Sequence, residues 1–207
     1  MWSEGADRAD PWSGAGTSHP RGGERRPGPH PRSAARSPRQ HERRNTRGIH
    51  CSGSCTLQNV WWEDVGEDAA TFKGGSGAVY NVTGGAKKAA DKVFQHNGGG
   101  RLTISNFAAQ DFKTLYRSCG NCSTQYKRSV VLNTVEVTAP ATRLAGINTN
   151  YGDTAVLRGV TIIGDSSRRI VPCQKYIGNN TGKEPTTNGS DADGTHCDYS
   201  SSDIGYR

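Results

Sequence analysis

From residue 48 onward, apolar positions do not hold the three-and-four spacing of an amphipathic helix over any sustained stretch. A short theme recurs instead: an apolar residue, two others, then an apolar residue that opens a β-branched or aromatic run. It occurs at Leu57-Gln-Asn-Val60, Val79-Tyr-Asn-Val82, Ile104-Ser-Asn-Phe107, Leu132-Asn-Thr-Val135 and Leu157-Arg-Gly-Val160, in steps of 22, 25, 28 and 25 residues. The third position is Asn in three units and Gly in one, the residues that best tolerate a left-handed bend between two short strands. The pattern predicts an all-β chain coiled as a right-handed parallel β-helix, with equivalent positions about 4.8 Å apart along the axis. A β-sandwich also repeats strands and turns. Leucine-rich repeats share the period but need a Leu and Asn ladder absent here.

Composition divides the chain. Its 207 residues have a mean hydropathy of −0.75 and a net charge of +7. Residues 1–47 contain no Val, Ile, Leu, Phe, Tyr, Cys or Lys, but ten Arg against five acids, so five of the seven net charges lie there. Such a segment cannot build a core and is expected to be disordered, leaving residues 48–207 as the folded domain. Arginine-rich tails contact phosphates, but this one lacks interleaved aromatics, and no nucleic-acid partner is expected. No apolar run follows Met1, so no signal peptide is visible, and no stretch is long enough to span a membrane. A monomer is expected. Six cysteines (Cys51, Cys55, Cys119, Cys122, Cys173, Cys197) and four sequons at Asn81, Asn121, Asn179 and Asn188 point to an extracellular, disulfide-bonded chain. Cys51-xxx-Cys55 with Cys119-xx-Cys122 could alternatively hold zinc, and sequence alone does not choose among fifteen disulfide pairings.

A coil of 22 to 28 residues makes charges one coil apart stack. Asp68 plus 23 residues reaches Asp91, and Lys92 plus 25 reaches Arg117. Glu67, Asp68 and Asp91 would then form a cluster of hard oxygen ligands that repel one another unless a cation such as Ca²⁺ joins them. Glu67-Asp68 follows Gly66 and is placed at a bend, whereas Glu63-Asp64 in "VWWEDV" is placed in a strand with its acids on opposite faces. Trp61 and Trp62 are expected to divide between surface and core. His50 and His96 are read as hydrogen-bonded structural residues.

The segments "GIHCSGSCTLQNVWWEDVGEDAATFKG", "KKAADKVFQHNGGG", "DFKTLYRSCGNCSTQYKR", "GINTNYGDTAVLRGV" and "TGKEPTTNGSDADGTHCDYSSSDI" closely resemble secreted pectate lyases of polysaccharide lyase family 3. The resemblance runs from Gly48 almost to the end. It implies a small parallel β-helix that cleaves polygalacturonate, the pectate of plant cell walls, by Ca²⁺-dependent β-elimination outside the cell. Glu67, Asp68 and Asp91 match the family's calcium-binding acids, Lys92 the proposed base, and Arg117 the arginine beside it and the alternative base.

Several positions depart from the family. Arg47 stands where a further calcium-binding acid is expected, Thr114 where a lysine is usual, with Lys113 adjacent, and Gly66 where many fungal relatives carry Cys. Family members have a signal peptide and two or three more coils before Gly48. Residues 1–47 are therefore expected to be a mispredicted exon or out-of-frame segment joined at Arg47, leaving an N-terminally truncated lyase of weakened activity. The other reading is a non-catalytic pectin-binding β-helix.

Overall fold

Asn59, Asn106, Thr134 and Gly159 occupy the third position of four of the five recurring units, and all four take left-handed φ angles of 53°, 48°, 56° and 61°. The repeat marks the corner of a coil. In the second unit the corner lies elsewhere: Leu57 pairs with Val82 rather than Val79, and the bend falls at Gly84, φ 130°. Asn81 stays extended opposite Thr103. The reason is steric, because a Cβ at position 84 would collide with the Val60 backbone, so only glycine can turn the chain there.

The structure, a computed structural model, describes residues 48–207, all within the compact unit Arg43–Arg207. The expectations for residues 1–47, Arg47 included, lie outside the described residues. Eleven strands follow: β1 (Ile49–Cys51), β2 (Cys55–Trp62), β3 (Ala70–Phe72), β4 (Val79–His96), β5 (Gly100–Ser118), β6 (Arg128–Asn148), β7 (Thr154–Ile163), β8 (Val171–Ile177), β9 (Thr186–Ser190), β10 (Cys197–Asp198) and β11 (Ile204–Tyr206). The pairs β1–β3, β2–β4, β3–β4, β4–β5, β5–β6, β6–β7, β6–β8, β7–β10 and β7–β11 are parallel, and β8–β9 is antiparallel. The fold is a parallel β-helix, as the periodicity predicts. Strands β4, β5 and β6 reach 18, 19 and 21 residues because each runs around corners. A second corner lies at Lys88 and Asp111, both left-handed, and at the cis Ala139–Pro140 bond of the next coil, where β6 carries one extra residue.

Register converts the repeat into ladders of inward side chains. Val82, Ile104, Leu132 and Leu157 stack in one ladder, and Phe94, Tyr116, Ala145 and Cys173 in another, all fully buried. Burying each large apolar side chain stabilises the solenoid by roughly 1.5–3 kcal/mol. Trp62 sits half-buried against Phe94, their rings edge to face at 6.0 Å, while Trp61 is 40% exposed and its indole N–H donates to Asn59 Oδ1 at 2.8 Å. The tryptophans divide as expected.

His96, Arg128 and Asp153 are buried with hydrogen-bond partners. His96 Nε2–H donates to the Gly99 carbonyl at 3.0 Å, which leaves Nδ1 to accept from the Tyr116 hydroxyl at 3.0 Å. Burial lowers the His96 pKa from 6.5 to about 4, so the imidazole is neutral. The fully buried Arg128 donates to the carbonyls of Gly98, Tyr126 and Asn97 and to Gln125 Oε1, and Asp153 accepts the backbone N–H groups of Arg128 and Asn148. His50 lies exposed, 3.3 Å from Lys73 Nζ.

The cysteines form disulfides Cys51–Cys55, Cys119–Cys122 and Cys173–Cys197, leaving none free. The zinc reading is thereby overturned, since every thiolate that could bind metal is consumed.

Candidate active site

The outer face of the segments ending β4, β5 and β6 carries the chemistry. Here Lys92 pairs in register with Thr114 and Thr114 with Arg143, while Gln95 pairs with Arg117 and Arg117 with Gly146. The expected stacking of Lys92 beneath Arg117 is corrected. The register step between β4 and β5 is 22 residues here, not 25, so Lys92 and Arg117 occupy neighbouring rows of one face. Both line a cleft of about 480 Å³, together with Asp68, Asp91, Thr114, Arg143 and Tyr176.

Glu67-Asp68 lies in the bend after Gly66, as expected; Glu67 is exposed outside the cleft lining, and Asp68 is partly buried within it. Glu63-Asp64 is not in a strand: β2 ends at Trp62 and the pair occupies the following bend. Because Ala70 pairs with Phe94, the bend sets Asp68 beside Lys92 rather than directly under Asp91. Lys92 Nζ stands 3.8 Å from Asp68 Oδ1 and donates a close hydrogen bond to Asp91 Oδ2.

Asp68 Oδ1 is buried and accepts no hydrogen bond, while Oδ2 accepts from the Thr71 hydroxyl at 3.4 Å. Desolvation, opposed by Lys92 but reinforced by Asp91 and Glu67, raises the Asp68 pKa above the usual carboxylate range. A carboxylate in that position calls for more positive charge than Lys92 supplies. Among the described residues no three acid, His or Cys side chains gather closely enough to enclose a metal ion. The expected cluster of Glu67, Asp68 and Asp91 is thereby corrected: Asp68 and Asp91 share Lys92 Nζ while Glu67 lies outside the cleft, and the unbonded Asp68 Oδ1 is the group whose chemistry suits a hard cation.

Arg117 lies with its Cζ 3.7 Å above the Tyr176 ring, and its Nη1 is buried without a hydrogen-bond partner. Burial, reinforced by nearby Arg143, pushes its pKa below the usual guanidinium value. Gly146 makes room for the stack, since a Cβ there would come within 2.9 Å of Arg117 Cδ. Sequence reasoning missed Arg143 and Tyr176, whose cleft positions depend on strand register. Only Thr114, one coil before Arg143, hinted at either.

Fold and site together define a parallel β-helix with a cleft of acids, lysine and stacked arginine along one outer face. The chain belongs to the pectate lyase family, whose sequence profile matches residues 42–183. It is 45% identical over 152 residues to a probable pectate lyase D of Emericella nidulans, which covers 73% of this chain and 56% of that protein. It is 51% identical over 145 residues to a probable pectate lyase E of Neosartorya fischeri, covering 69% and 55%. The chain thus spans somewhat more than half the length of these curated relatives. Among solved structures, the catalytic domain of pectate lyase PelI from Erwinia chrysanthemi superimposes with a TM-score of 0.71 at 31% identity, covering 77% of this chain and 76% of that one. The same enzyme in complex with tetragalacturonic acid gives 0.70 at 33% identity, covering 77% and 55%.

Proposed function

We propose that this chain is a pectate lyase that cleaves polygalacturonate by calcium-dependent β-elimination. The observation that carries this reading is the convergence of Lys92, Asp68, Asp91 and Arg117 on one cleft of the β-helix. Asp68 and Asp91 are the acids that would hold the calcium ion from the protein side. Bound there, a calcium ion would neutralise these acids and supply Lewis-acid stabilisation of the negative charge that develops beside a substrate carboxylate.

Lys92 accepts the C5 proton. The electron pair left at C5 forms the C4–C5 double bond, the C4–O bond breaks, and the departing oxygen takes a proton from water. Arg117, rigid on Tyr176 and lacking a partner for Nη1, binds the substrate carboxylate. It is also the alternative base that the family resemblance implies. The three disulfides support an extracellular setting.

The test is to express the chain and follow unsaturated-product absorbance on polygalacturonate with calcium and then with chelator. Product formation that stops with chelator is expected. Folded protein that binds polygalacturonate without releasing unsaturated product would instead favour the non-catalytic pectin-binding reading.

A further inference from the structure

The row Lys92–Thr114–Arg143 runs along the solenoid axis at about 4.8 Å per coil, which sets Lys92 and Arg143 roughly 10 Å apart along the backbone stack. Its middle member is neutral and 2% exposed. Arg143, followed in the row by the apolar Val171, has its Nε buried and unbonded, and it forms no ion pair among the described residues. It is close enough to Arg117 for the two guanidinium charges to repel. Glu184 also lines the cleft but pairs with neither arginine. Two cations sharing a partly desolvated cleft with no counter-charge of their own call for an anion, and a planar fork of donors is suited to carboxylate.

We propose that Arg143 binds a carboxylate of the polyuronate one sugar or more beyond the reacting residue, supplying from the next coil the positive charge that Thr114 does not provide. The inference rests on the lyase-site reading and names a substrate contact within it. Lys113, adjacent to Thr114 and exposed at the junction of this cleft with a neighbouring groove, is the other available cation. Arg143 is the better placed because it is in register with the row and its Nε is already desolvated.

The experiment is calorimetric binding of tetragalacturonate, and of its fully methyl-esterified form, to the wild type, Arg143→Met, Arg143→Lys and Lys113→Ala. Arg143→Met keeps an apolar stem, and each variant is checked by thermal melting. Arg143→Met is expected to weaken binding of the charged oligomer about tenfold or more, with partial recovery in Arg143→Lys and no change toward the ester. Unchanged binding in Arg143→Met, an equal loss toward the ester, or a loss appearing in Lys113→Ala instead would overturn the proposal. Turnover in the same samples separates the two readings. A wild type that binds and loses affinity in Arg143→Met but releases no unsaturated product sinks the lyase reading and keeps the Arg143 contact; a wild type that binds no oligomer overturns both.

Discussion

Lys92 donates to Asp91 and lies near Asp68, so its removal changes both the proton acceptor and the charge of the acid pair. Lys92→Ala is expected to lower kcat by about 10²–10⁴-fold, the usual range for a general base. Lys92→Arg keeps the charge but not the neutral amine; near-normal turnover in that variant would remove the base role. His96 makes a prediction about stability. Its folded pKa of about 4 lies below the ordinary 6.5, so the unfolded state binds more protons between those values. Stability is therefore full above pH 6.5 and falls as the pH drops toward 4, by an amount on the order of 3 kcal/mol. Urea midpoints across this range should show the decline, and His96→Gln should flatten it. An unchanged slope in the variant would reassign the pH dependence to other groups.

At the scale of an element, the recurring unit carries its information in one dihedral angle. Asn106 turns a corner at φ 48°, whereas Asn81, in the same letter pattern, is extended in β4. Asn106→Val should then cost about 1–3 kcal/mol, because a β-branched residue resists the left-handed region, and Asn81→Val should fall within about 0.5 kcal/mol of the wild type. Denaturant midpoints of the pair check the assignment, and equal losses would contradict it. The strand carrying Arg117 depends similarly on an absent side chain. Gly146→Ala should push Arg117 off Tyr176 and lower kcat/KM while the melting temperature stays close to that of the wild type.

For the molecule as a whole, the three disulfides differ mainly in how much chain they close. Cys173–Cys197 spans 24 residues and ties β8 to β10, whereas Cys119–Cys122 spans three. The loop-entropy argument gives about 3 kcal/mol for the longer bridge and under about 2 kcal/mol for the short one. Paired Cys→Ala variants should show that order in thermal melts, and a reversed order would mean that local packing outweighs loop closure. The carboxyl-terminal part of the chain is thus closed by a covalent bridge as well as by the parallel pairing of β10 and β11 with β7.

The sequence by itself determined the coiled β architecture, because apolar ladders and bend-tolerant residues must recur once per coil for neighbouring coils to bury one another. The resemblance also marked Glu67, Asp68, Asp91, Lys92 and Arg117, of which all but Glu67 line the cleft. Only the tertiary structure decided register. The coil steps vary between rows, so a count of residues cannot tell that Lys92 lies under Thr114 and Arg143, or that Arg117 rests on Tyr176. The disulfide pairing also waited for the fold, because it depends on which Cα atoms the coils bring within about 6 Å.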